Sequence, residues 1–199
     1  AETINQYASI LTTSTDGLFN DSLRPLRHAL RELSKDKREL KNLRRRETIC
    51  LRRAQPPVAA VRLSTNFHLI HNSLRQMLYG IIRIAEPALE HVDNNFTPID
   101  ITTAERYCKV RNHVVALMNN VAENLRNDRA ADNTKLLKDC EQLEVEVSKF
   151  NQDIGIAIQG DNINLSAMTL VLHMGQETLQ LVVEIHDLLV TSKAYRELI

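Results

Sequence analysis

Residues 63–88 read LSTNFHLIHNSLRQMLYGIIRIAEPA, and Leu63, Phe67, Ile70, Leu74, Met77, Ile81, Ile84 and Ala88 recur there in an unbroken alternation of four and three. That is the period of one face of an α-helix, not the period of two that a half-buried strand requires. The same spacing runs through Leu136, Cys140, Leu143, Val147, Phe150, Ile154 and Ala157, and through Tyr107, Val110, Val114, Leu117, Val121 and Leu125. Met168, Leu172, Gly175, Leu179, Val182 and Leu189 make a broader face near the end, and Leu23, Leu26, Leu30, Leu33, Leu40 and Leu43 make one near the start. Each segment has one side that water disfavours, so the segments must cover one another. The expectation is an all-α, elongated up-and-down bundle of about five long helices.

Helix-ending chemistry falls between these seams. Pro56 and Pro57 should end the first long helix, because proline lacks the donor and clashes with the preceding turn. Residues 93–98, DNNFTP, read as a loop, and Thr102 to Glu105 as a capping box that restarts the chain. Residues 127–133 separate the third long helix from the fourth, and Gly160 to Asn162 close the fourth, with Asn164 or Ser166 capping the last. Pro87 should kink its helix or end the regular part. The expected helices are about 22–54, 58–92, 102–126, 132–159 and 165–197, and residues 1–20 are a lead-in or a short helix. Nothing resembles a linker between domains, so residues 1–199 are expected to form one.

Composition narrows the class further. Five Gly, five Pro and no Trp accompany the lack of alternating β-branched runs, which disfavours sheets. Cys50, Cys108 and Cys140 are far apart with no C-x-x-C spacing, as expected of buried thiols in a reducing compartment. The start has neither a basic nor a continuous apolar region of a signal peptide. The most apolar stretch, Leu179 to Val190, is interrupted by Glu184, His186 and Asp187, well short of a membrane span of roughly 20 residues. The chain as given is expected to be soluble.

Charge is distributed unevenly within a neutral total of 25 basic and 25 acidic side chains. Residues 24–53 hold twelve Lys or Arg and four Asp or Glu, whereas from Asp139 to Glu197 ten acids face three bases. This basic rod, centred on Arg44, Arg45, Arg46, Arg52 and Arg53, is either a solvated wall neutralised by acidic helices alongside it or a patch for an anionic lipid surface. The neutral total and few aromatics argue against nucleic acid as the partner.

Candidate sites for chemistry are sparse. His68 and His71 have a spacing usable for a metal with a carboxylate from another helix, but flanking Phe67 and Ile70 they read better as residues at the margin of the bundle. Glu86, Glu90 and Asp93, with His91 beside them, share a stripe able to hold a hard cation, but a solvated face paired with Arg83 is the preferred reading. Glu177, Glu184 and Asp187 form a similar stripe. No nucleophile elbow, phosphate loop or dinucleotide fingerprint is present, so no enzyme and no cofactor is expected. His91, Asp93, Asn94 and Asn95 form a motif whose Asp and Asn residues suit a helix-ending turn.

Residues 67–96 resemble the soluble cytosolic C-terminal extension of some bacterial PiT-type inorganic phosphate permeases, especially from Bacteroidetes, through NSxxQML from Asn72, AEPxxEHVDNN from Ala85 and Pro98 just beyond. The basic run in residues 40–53 is similar to the one preceding it there, and the resemblance covers about residues 38–99. It implies a PhoU-like helical bundle on the cytoplasmic side of the inner membrane. The partners it implies are the membrane part of the same transporter, upstream, and an anionic lipid surface, with a regulatory or docking role. PhoU-like regulators bind metal through paired E/D-x-x-x-D motifs on two three-helix repeats. Here Glu32/Asp36 and Asp128/Asp132 match the spacing but fall on the basic rod and in a loop, so metal binding does not carry over. The alternatives are a free-standing helical scaffold or adaptor, possibly a homodimer associating through its long seams, and a metal-binding bundle.

Overall fold

The computed structural model describes residues 1–51, 57–127, 133–160 and 164–196. Six α-helices run through the described residues: α1 (Glu2–Phe19), α2 (Leu23–Leu51), α3 (Pro57–Asp93), α4 (Ile101–Asn127), α5 (Asn133–Ala157) and α6 (Leu165–Arg196). The last five match the expected long helices to within a few residues. Residues 1–20, expected as a lead-in or a short helix, form α1, whose Ile4, Tyr7, Ala8, Ile10 and Leu11 are buried in the core with all the other helices. Its run of Ser and Thr hides the apolar stripe in the sequence. In the fold, the hydroxyls of Thr12, Ser14 and Thr15 donate to the carbonyls four residues earlier, at 2.8–3.0 Å. A hydroxyl satisfied by its own helix can be buried without a distant partner, as Ser14 is; Thr15, also fully buried, accepts in addition from Arg111 Nη1 of α4 at 2.6 Å.

α1, α2 and α3 pack on one another, as do α4, α5 and α6, and the two three-helix units meet through α1 on α4 and α3 on α6. Equivalent helices therefore face each other across the middle. Residues 80–92 of α3 and 170–182 of α6 repeat the same succession of buried, half-buried and exposed positions, although only Leu89/Leu179 and Val92/Val182 are identical. Tyr7 and Tyr107 are both fully buried at comparable places in α1 and α4.

Local chemistry sets the helix ends. Asp21 and Asn95 take left-handed φ values of 48° and 51°. After α3, the Phe96 amide donates to His91 O and the Asn95 amide to Val92 O, both at 3.1 Å; after α1, the Ser22 and Asp21 amides bond Gly17 O and Leu18 O in the same way. Both ends are Schellman turns with a short polar residue in place of glycine. α4 is capped by Asp100, not by a box at Thr102: its Oδ1 accepts the Thr103 amide at 2.9 Å, and these bonds hold the carboxyl below its usual range. Asn164 caps α6 by accepting the Ala167 amide at 3.2 Å.

Pro57 opens α3, where a missing donor costs nothing, and Pro56 lies outside the described residues. Pro87 neither ends nor interrupts α3, which continues to Asp93. A proline there leaves the Arg83 carbonyl without its helical partner. His173 of α6 supplies one, its Nε2 donating to that oxygen at 3.1 Å.

The acidic helices do not line the basic rod. α2 packs on α1 and α3, while α5 packs on α4 and α6 in the other unit. Among the described residues, none of the basic side chains from Arg31 to Arg46 forms a salt bridge; the ion pairs are elsewhere, such as Arg27–Asp93 at 2.8 Å and Arg106–Asp153 at 2.7 Å. The polarity follows the two units. Residues 1–99 carry fifteen bases and ten acids, and residues 100–199 the reverse.

Candidate functional site

The register of α1 against α2 is set where Gln6 bonds Asp36 and where Gly17 meets Leu26. In that register α1 begins level with about Leu40. Beyond it α2 has lost its neighbour, and Leu40 is the last buried residue among those from Leu40 to Arg46. Lys41 to Leu51 extend about 16 Å further at 1.5 Å per residue, alongside the start of α3. This hairpin is an arm whose surface mixes charge and hydrocarbon. Lys41, Arg44, Arg45, Arg46 and Arg62 are exposed, and among them stand Leu43, Ile49, Val61 and Leu69, between 45% and 65% exposed. Arg52 and Arg53, expected as part of the same patch, lie outside the described residues.

The His91 to Asn95 motif lies at the opposite end of α3. Thirty residues separate Val61 from His91, about 45 Å of helix. His91 is buried, its Nε2 bonding Thr97 O at 3.0 Å and its ring meeting the edge of Phe96. Asp93 binds Arg27 of α2, and Asn95 makes the left-handed turn. These side chains hold the α3 end to the following loop. No single ligand of modest size spans both this motif and the arm.

The other candidates separate in space. Glu86 and Glu90 are exposed on α3. Arg83, expected to pair with that stripe, turns instead to Glu177 of α6 at 2.8 Å, and the pairing holds the guanidinium in its charged form. Glu184 is buried against Gln180 and Ser73, which leaves its carboxyl raised by burial, whereas Asp187 is exposed beside His186. His68 is exposed; His71, expected at the margin, is buried and bonds Leu40 O at 3.0 Å. Asp128 and Asp132 lie outside the described residues. Among the described residues no three His, Cys, Asp or Glu side chains gather in a way that could hold a metal ion, and no helix is long and apolar enough to cross a membrane.

One residue noted in the sequence only for its E/D-x-x-x-D spacing, Asp36, is buried in the fold. Asp36 sits within the most basic segment, yet it is only 3% exposed. Its Oδ1 accepts from Gln6 Nε2 at 2.9 Å, while Oδ2 has no partner. Burial, reinforced by the nearby charges of Glu39 and Glu32, pushes the Asp36 carboxyl up to about 6. Tyr7, nearby, is fully buried with its hydroxyl also unpartnered, and burial raises it. The signal in the sequence is that Asp36 extends the Leu26, Ala29, Leu33 spacing toward Leu40 on the core face of α2.

No family model, curated protein or solved structure matches this chain.

Proposed function

We propose that this chain is a non-catalytic regulatory or partner-docking domain that rests on an anionic membrane surface through the α2–α3 arm. The observation that carries this reading is the exposed arm itself, in which arginines without salt bridges alternate with exposed Leu43, Ile49, Val61 and Leu69. Interfacial binding needs both components: apolar side chains to enter the headgroup boundary, and cations that each gain about 1 kcal/mol near anionic lipid. The arm carries both kinds of side chain within a short length of two neighbouring helices.

The finer reading is that the partner is the membrane part of an inorganic phosphate permease, in a PhoU-like arrangement. The resemblance of residues 38–99 supports it, as does the division into two packed three-helix units. Cosedimentation with phosphatidylserine vesicles tests the surface: replacing Arg44, Arg45 and Arg46 with Gln should weaken binding about a hundredfold at low salt while leaving helicity unchanged. Unaltered binding would leave a solvated wall and nothing more. The complete reading frame tests the permease, which requires apolar spans upstream.

A further inference from the structure

We infer that the end of α6, from Ile185 to Arg196, is fastened to α3 by a proton-sensitive clasp of Ser73, Gln180 and Glu184 that loosens as the pH rises. The two helices run antiparallel, since Arg83 of α3 meets Glu177 of α6 and Ser73 meets Glu184. Past Glu184, α6 therefore runs for about 18 Å toward the start of α3, where the arm lies. Ser73 stands two residues along α3 from His71, whose ring bonds Leu40 O, so the clasp sits where the arm leaves the bundle. Ile185, Leu188 and Leu189 follow it along α6 and are fully buried, so the clasp leads into an apolar contact that must open with it.

The sensitivity comes from what surrounds the carboxyl. Glu184 is 9% exposed and is held by two neutral donors: Gln180 Nε2 at 3.1 Å from Oε1, and the Ser73 hydroxyl from α3. Two turns earlier on the same helix, Glu177 meets the Arg83 guanidinium at 2.8 Å, but among the described residues no cation pairs with Glu184. The charge that acts on it is that of Asp187, one turn further on and of the same sign. Along α3, His71 and Arg75 flank Ser73, but the first is engaged by Leu40 O and the second by Asn72. Among the described residues, α4 and α5, which also pack on α6, bring no appreciable charge to bear on it. Burial, reinforced by Asp187, raises the Glu184 carboxyl above its usual range. A buried carboxylate with only neutral donors is disfavoured against its acid form, and opening of the α6 end returns it to water. The closed clasp thus holds its proton more tightly than the open one. It is firmest in acid and weakens as pH rises through the raised value.

Hydrogen exchange of the full chain at about pH 5 and about pH 8, corrected for the intrinsic rate at each pH, tests this. Amides of residues 185–195 should lose protection at least about threefold over that interval. In Glu184→Gln, which keeps the shape and removes the charge, the loss should vanish. In Asp36→Asn it should persist, because opening of the α6 end leaves Asp36 in place on α2. Carbon-13 NMR of the unaltered chain gives a measure that needs no variant to fold: the Glu184 carboxyl should titrate above 4.5, where an exposed Glu does. Constant protection between the two pH values, a loss that survives Glu184→Gln, or one that Asp36→Asn abolishes would overturn the proposal. So would a Glu184 carboxyl titrating at or below 4.5. Neither measurement contains lipid, so this test and that of the arm fail independently.

Discussion

The two three-helix units share a packing scheme but use it differently. In the C-terminal unit Tyr107 is fully buried and its hydroxyl bonds Thr178 Oγ1 at 2.8 Å, with the ring between Phe19 and Phe150. In the N-terminal unit Tyr7 is as deeply buried, but its hydroxyl and Asp36 Oδ2 have no partners, and an open groove adjoins Asp36. At this pair of tyrosines one hydroxyl is bonded and the other is not. The N-terminal unit also carries the arm and the excess of positive charge.

The strongest way to break this comparison is to remove core volume from the helix that the sequence hides. Leu11→Ala, at a fully buried site of α1, should cost about 2–5 kcal/mol in urea unfolding, as large a loss as a comparable truncation in α4. A loss below about 0.5 kcal/mol would return α1 to the status of a lead-in. Next in size is a pH effect. The folded state holds the Asp36 proton more tightly than the unfolded chain does, with a carboxyl at about 6 against 3.8. Between those values the native state binds more protons, so stability falls as pH rises from about 4 to about 6. The contribution is on the order of 1–3 kcal/mol, and Asp36→Asn should remove that part of the slope.

The tyrosines sharpen the comparison at smaller magnitude. Tyr107→Phe deprives Thr178 of a buried partner and should cost about 1 kcal/mol, whereas Tyr7→Phe removes an unsatisfied hydroxyl and should be neutral or stabilising. Equal costs for the two would mean that Tyr7 has a partner after all, with ordered water the first candidate. The smallest effect belongs to the arm. Leu43→Ala should change stability by less than about 0.5 kcal/mol, because that residue is 45% exposed, while reducing binding to anionic vesicles.

Much of the architecture is legible in residues 63–88 and their counterparts, because a 4-3 stripe needs no knowledge of what covers it. The helix ends are legible for the same reason where the signal is local, as at Asn95. Legibility fails where a residue's role depends on a distant element. Pro87 reads as a break unless His173, in a different unit, is known to take up the Arg83 carbonyl. Arg83 reads as the partner of the Glu86 stripe unless Glu177 is known to face it. The Ser and Thr run of α1 reads as a lead-in or a short helix of no clear burial unless its hydroxyls are known to bond backward into their own helix.

The amino-acid order by itself determined that this protein is helical, where its long helices run and which face of each is apolar, since spacing and capping act within a few residues. It also determined the imbalance of charge between the halves. The tertiary structure alone decided that α1 belongs to the core, that α2 and α5 lie in different units, and that Asp36 is buried while Arg44 to Arg46 remain in solvent. The reason is physical: a helix face can be read from its own period, but its neighbour is chosen by the fit of whole surfaces. Burial of a polar group depends on a partner that, for Asp36, stands thirty residues away.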